Sequence, residues 1–139
     1  MPSLDMYHDT VKRALQKEHW TITHDPFILQ IGRKRLFADL GAERLIGAEK
    51  NQQKIAVEIK SFVGASDVRD LEQALGQYML YQYILSQIEP ERAVYLAVNT
   101  VIFKSVFEAE LGQLVLAKQV LRLMVFEATQ EVVLRWIPG

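Results

Sequence analysis

Glu58 and Lys60 stand two residues apart inside Ile55-Ala56-Val57-Glu58-Ile59-Lys60. On a strand, residues two apart point to the same face. The apolar flanks read as a buried strand, whereas a carboxylate and an ammonium belong in water or in a site. Burying either charge without a partner is costly, so the pair calls for a counter-charge or a metal. Asp39 lies nineteen residues earlier, on what reads as the preceding strand. Two carboxylates and a lysine suit phosphodiester hydrolysis. The carboxylates hold Mg²⁺ (or Mn²⁺) through hard oxygen ligands. The metal polarises the phosphate and lowers the pKa of a bound water. The lysine orients that water and offsets charge developing on phosphorus. A blander arrangement suits the same residues equally: a surface ion pair between Glu58 and Lys60, with Asp39 capping a turn.

The elements that must position these groups are legible from periodicity and punctuation. Ser3 is placed to cap a first helix, with Tyr7, Val11, Ala14 and Leu15 as its apolar stripe, ending near Trp20. An extended stretch starts at Thr21, breaks at Asp25-Pro26, and resumes over 27–31 to Gly32. Arg33-Lys34-Arg35 reads as a basic loop. Strand-like segments follow over 36–48 and 54–62, with the polar run 49–53 as a hairpin connection. A turn centred on Asn51 would set Glu43, rather than Asp39, opposite Ile59 or Lys60. Glu43 therefore competes for the acidic role unless a bulge at Gly41 or Gly47 brings Asp39 closer.

Ser66 and Asp67 suit the N-terminus of a long helix, with Val68, Leu71, Leu75, Tyr78 and Met79 as its apolar stripe. Asp70, Gln73, Gln77 and Tyr81 recur three or four apart, so they form one polar stripe that can face the site. A buried strand over 93–98, a helix over 104–118 and a closing strand pair over 121–126 and 131–136 complete the chain. The order predicts a mixed α/β sheet with helices packed on it.

Composition narrows the function classes. The chain has 139 residues, a length suited to one domain, and half of them are apolar or aromatic. A net charge of −1 excludes a histone-like polycation, yet residues 30–60 carry seven basic against four acidic side chains. With zero cysteines there are no disulfides, thiolate nucleophiles or zinc fingers, and any metal must be a hard ion. His8, His19 and His24 lack metal-ligand spacing. Trp20 and Trp136 read as packing residues. No apolar run approaches the roughly 20 residues that span a bilayer, so the expectation is a cytoplasmic protein without membrane contact.

The acid, Glu-x-Lys and following helix resemble the PD-(D/E)XK nuclease superfamily, with the match on Asp39, Glu58 and Lys60. Gln77 and Tyr81 are similar to the Gln-x-x-x-Tyr signature of some branches. Ala38 replaces the motif's leading proline. For the acid these enzymes often carry on the first helix, Glu18 and Asp9 are the candidates, with His8 bordering the apolar face nearby.

Across nearly the whole chain the sequence also resembles the XisH family. Asp5-Met6-Tyr7-His8-Asp9, Trp20-Thr21-Ile22-Thr23-His24-Asp25-Pro26 and Asp39-Leu40-Gly41-Ala42-Glu43-Arg44-Leu45-Ile46 carry the likeness. So do Ala56-Val57-Glu58-Ile59-Lys60-Ser61-Phe62, 70–78 and Trp136-Ile137-Pro138. Proteins of this family are cyanobacterial fdxN-element excision controlling factors.

The resemblance implies a restriction-endonuclease-like fold, α/β with a central mixed β-sheet flanked by helices, over a single domain 1–139. It implies a role in excising a DNA element during heterocyst development, with DNA, an XisI-like protein and a site-specific recombinase as partners. On this reading Asp39 and Glu58 bind Mg²⁺, Lys60 positions the water and Gln77 orients site groups or the DNA backbone. His8, Glu43, Gln73 and Tyr81 are accessory candidates. One small domain carries one site, so a homodimer is expected if duplex DNA is cut. The competing readings are a non-cleaving DNA-binding module that aids the recombinase, and a protein-interaction subunit acting through XisI.

Overall fold

Two parallel strands lie side by side at the centre of the sheet, and their middle residues are buried on both faces. In the computed structural model, which describes residues 5–46, 51–118 and 120–138, these are β5 (Asn51–Ile59) and β6 (Arg92–Asn99). Around them run β1 (Thr21–His24), β4 (Leu40–Ile46), β7 (Leu123–Glu127) and β8 (Val132–Ile137). The order is β1-β4-β5-β6-β7-β8, with β5, β6 and β7 parallel and the outer pairings antiparallel. A separate two-stranded hairpin pairs β2 (Phe27–Ile31) with β3 (Lys34–Ala38). Helices cover both faces, an arrangement consistent with the restriction-endonuclease-like fold.

Side-chain alternation on β5 divides the core. Ile55, Val57 and Ile59 join the cluster under α1 (His8–Lys17), together with Val11, Leu15 and Trp20. Ala56 points the other way, toward α2 (Asp67–Ile88) and its Leu71, Ala74, Tyr78 and Tyr81. Glu58 shares parity with Ala56, so it faces α2.

Several expectations need correction. The stretch 36–48 is interrupted at Asp39, where β3 turns into β4, and 51–53 belong to β5 rather than to a loop. Lys34 and Arg35 are strand residues. The register runs unbroken from Leu40↔Val57 to Ile46↔Asn51. Asn51 is thus a strand residue rather than the centre of a turn, and residues 47–50, Gly47 and Ala48 among them, lie outside those described, as does the Ser3 cap. No bulge at Gly41 is needed. The apolar pattern sets this register, because Leu40 and Ala42 must fall on the same side as Ile55 and Val57.

On α2, Ser66 caps as expected, its hydroxyl accepting from the Arg69 amide at 3.2 Å. Val68 and Met79, assigned to the buried stripe, are exposed, and Ala74, Tyr81, Ile84 and Leu85 take those places. The helix expected over 104–118 is broken into α3 (Thr100–Ile102), a π-helical turn (Phe103–Phe107) and α4 (Glu110–Ala117). Gly112 explains the close packing of that break: a Cβ there would meet the Val106 carbonyl and the Phe107 backbone. Between β5 and α2 the chain turns at Phe62, whose φ of 54° is left-handed. Its ring is buried edge-on against Phe107, with centroids 6.1 Å apart. No helix among the described residues is long and apolar enough to cross a membrane.

Candidate metal and phosphodiester site

The β4–β5 register places Asp39, one step before Leu40, beside Glu58, one step after Val57. The two are stitched reciprocally. The Ile59 amide donates to Asp39 Oδ2 at 2.7 Å, and the Asp39 amide donates to Glu58 Oε1 at 3.2 Å. Both carboxyls open onto a cleft of about 630 Å³. Lys60 and Ser61 form its wall at the end of β5, and Leu36 and Phe37 the wall on β3. Asp70, Gln73, Gln77 and Tyr81 line the α2 side, so the polar stripe read from the sequence does face the carboxyl pair. Tyr81 is fixed there by its hydroxyl, which donates to the Phe37 carbonyl at 3.0 Å.

Electrostatically the pair is under tension. Glu58 is buried, and desolvation is the largest effect raising its pKa; the nearby Asp39 charge and a hydrogen bond with Asp39 add to it. Together they push it up to about 9, with Lys60 pulling the other way. Burial likewise raises Asp39, opposed by the Ile59 amide. Burial and then the two carboxylates raise the Tyr81 phenol, which stays a neutral donor. Two such carboxyls cannot both ionise cheaply without a cation. Gln77 adds an acceptor: its Oε1 is buried and receives no hydrogen bond from the described residues.

The surface ion pair between Glu58 and Lys60 is not what forms. Glu58 is 7% exposed, and no ion pair closes between the two. Nor does Asp39 cap a turn, since its Oδ2 accepts from the Ile59 amide on β5.

Glu43 is not brought to this site. It pairs with Lys54 across the sheet, their charges 3.8 Å apart, and borders a different hollow with His19 and Thr21. The register leaves it four residues from Asp39 along the chain. Glu18 accepts from the Trp136 indole at 3.1 Å, and Asp9 is exposed; neither lines the cleft. His8 is buried behind the cleft rather than in its lining, with Nε2 2.6 Å from Asp25 Oδ1, close enough for its charge to be felt at Asp39. Trp20 packs in the core, as expected, under the Arg44 guanidinium.

The acid that does enter is Asp5, which lines the cleft and adds negative charge at Asp39. Sequence reasoning missed it by starting the helix at Ser3. The signal was the spacing to His8: Asp5 precedes the helix, its Oδ1 accepting from the Tyr7 amide at 2.9 Å and its carbonyl from the His8 amide at 3.0 Å. That is the Asx-type turn expected of an acid just before a helix.

Comparison with known proteins gives concordant results. The family model described as XisH protein matches residues 1–134. A crystal structure of an XisH family protein from Nostoc punctiforme PCC 73102 is 35% identical. It aligns over 95% of this chain and 98% of its own, with a TM-score of 0.85. A crystal structure of a fdxN element excision controlling factor protein from Anabaena variabilis is 36% identical. It aligns over 96% and 99% of the two chains, again with a TM-score of 0.85. No curated protein matches the sequence.

Proposed function

Because the chain belongs to the XisH family, we propose that it supports excision of a DNA element as a Mg²⁺-dependent endonuclease of PD-(D/E)XK type. The observation that carries this reading is the reciprocal stitching of Asp39 and Glu58 at the floor of a cleft that also holds Lys60. Stitching through backbone amides fixes two hard oxygen donors side by side while leaving lone pairs toward the cleft. That donor set fits Mg²⁺, which is bound by one or two carboxylates and completes its shell with water and substrate phosphate. Among the described residues no three acidic or imidazole side chains converge into a closed cage.

A bound Mg²⁺ supplies Lewis-acid polarisation of the phosphodiester and a more acidic water. The chain's own residues do the rest. Asp39 and Glu58 would hold the ion and would be ionised by holding it. Lys60 hydrogen-bonds the attacking water and offsets charge at phosphorus. Gln77, which lines the cleft, would orient site groups or the DNA backbone, and Tyr81 keeps α2 at its distance from β3. Cutting both strands of a duplex would take two copies of the chain, each with one site.

The test is cleavage of supercoiled plasmid by the purified chain with Mg²⁺ or Mn²⁺. Nicking by wild type that is lost in Glu58→Ala and Lys60→Ala supports the reading. A Lys60→Ala variant as active as wild type would trace the activity to contamination and sink it. DNA binding without cleavage would instead make the chain a non-cleaving module acting beside an XisI-like protein and a recombinase.

A further inference from the structure

The β2–β3 hairpin has no role in the site chemistry, yet it carries an unusual concentration of unpaired charge. It stands apart from the central sheet and is anchored at one end, where Phe27 and Leu29 are buried in the α2 cluster. The other end is exposed. There Ile31 pairs with Lys34 around a two-residue turn of Gly32 and Arg33. Gly32 adopts φ 58° while Arg33 keeps negative φ, the pattern of a type II′ turn that locks the tip.

Arg33, Lys34 and Arg35 are all exposed, and among the described residues none meets a carboxylate. Lys12, Arg13, Lys54 and Arg92 do, while other exposed lysines such as Lys17, Lys104 and Lys118 are also without an ion pair among the described residues but are not clustered. Arg35 is also aimed: its guanidinium lies 5.8 Å from the centre of the Phe37 ring, and Phe37 lines the cleft. From Arg35 to Asp39 the chain runs four residues, ~13 Å at the strand rise, about four phosphate steps along the axis of B-DNA.

We propose that this hairpin is a phosphate clamp: Arg33, Lys34 and Arg35 grip the backbone of duplex DNA a few nucleotides from the phosphodiester seated at Asp39 and Glu58. The inference rests on the reading of the cleft as a phosphodiester site. It explains how a chain of net charge −1 holds a polyanion: three fixed cations sit beside the site, with no general positive surface. The rigid turn limits the entropy lost on docking.

The test measures binding apart from cleavage, by fluorescence anisotropy of the full chain with a labelled duplex in EDTA, between about 50 and 200 mM salt. The Arg33→Gln/Lys34→Gln/Arg35→Gln triple should flatten the slope of log affinity on log salt by about 2–3 and weaken binding at least ~10-fold. A control triple, Lys17→Gln/Lys104→Gln/Lys118→Gln, removes the same charge elsewhere and should change the slope by less than about 1. Arg35→Gln alone, which leaves the turn intact, should lower it by about 0.9. Equal losses in the two triples, or no duplex binding by wild type, would overturn the clamp. Wild-type binding that the hairpin triple loses, with no cleavage when Mg²⁺ is added, would uphold the clamp and remove the endonuclease reading. Cleavage by the hairpin triple at wild-type KM would do the reverse.

Discussion

Proton-linked metal binding follows directly from the buried carboxyl pair. Glu58 sits at about 9 without a cation, so near pH 7 it holds a proton that Mg²⁺ must displace. The difference of two pH units makes the apparent affinity at pH 7 ~100-fold weaker than the limiting value, or about 3 kcal/mol. Affinity should therefore tighten about tenfold per pH unit from 7 to 8 and level off above 9. Close to one proton should be released per ion at pH 7. Isothermal titration calorimetry in buffers of different ionisation enthalpy reads both quantities. Glu58→Gln, which has no proton to lose, should lose the pH dependence along with most of the binding. An affinity that is flat between pH 7 and 9, with no proton released, would refute the reasoning: the ion would then be bound elsewhere, or the pair already ionised.

The same shift predicts how metal-free protein responds to pH. The folded state keeps a proton on Glu58 that the unfolded chain releases near 4.5, so the contribution of Glu58 to stability is greatest below that value and falls as pH rises toward 9. The slope is at most ~1.4 kcal/mol per pH unit, read by urea unfolding in EDTA, and Glu58→Gln should remove it. Arg92→Met should destabilise by about 3 kcal/mol in the same assay, because it strands the Ile55 carbonyl and the Glu89 carboxylate that the buried guanidinium serves. Arg92→Lys should recover only part of this, since an ammonium cannot reproduce the fork. Gly112→Ala should cost ~1–3 kcal/mol, seen as a lower melting temperature, because the new methyl would collide with backbone rather than with a yielding side chain. Tyr81→Phe, which deletes the bond to the Phe37 carbonyl, should cost about 1 kcal/mol.

The parts of the site that were legible in the sequence are those fixed by short-range periodicity. Glu58 and Lys60 on a buried strand, and the Asp70, Gln73, Gln77 and Tyr81 stripe, depend only on strand and helix repeats, and the fold brings them to one cleft. Asp39 and Glu43 could not be ranked, because a hairpin's register depends on where its turn falls, and the polar run 49–53 suggested a centre too far along. Packing decided it: Leu40 and Ala42 needed the α1 side of the sheet. Asp5 was hidden by a helix start placed too early. The π-helical turn had no signal either, because Phe107 and Val115 keep a helical spacing across it, and only the close approach of Gly112 to the backbone reveals the break.

The left-handed Phe62 ties distant parts of this molecule together. A non-glycine residue in that conformation is held at an energetic disadvantage, of order 1–3 kcal/mol, and persists only where its surroundings insist. Here they do so through the ring's contact with Phe107, in the π-helical turn far along the chain. Yet Phe62 also lies between the strand bearing Glu58 and the helix bearing Gln77, so its torsion, together with the Tyr81–Phe37 bond, bears on how the two stand across the cleft. Substitutions at Phe107 would then alter the cleft without touching it, by releasing that torsion. A partner that gripped that turn would hold the same lever.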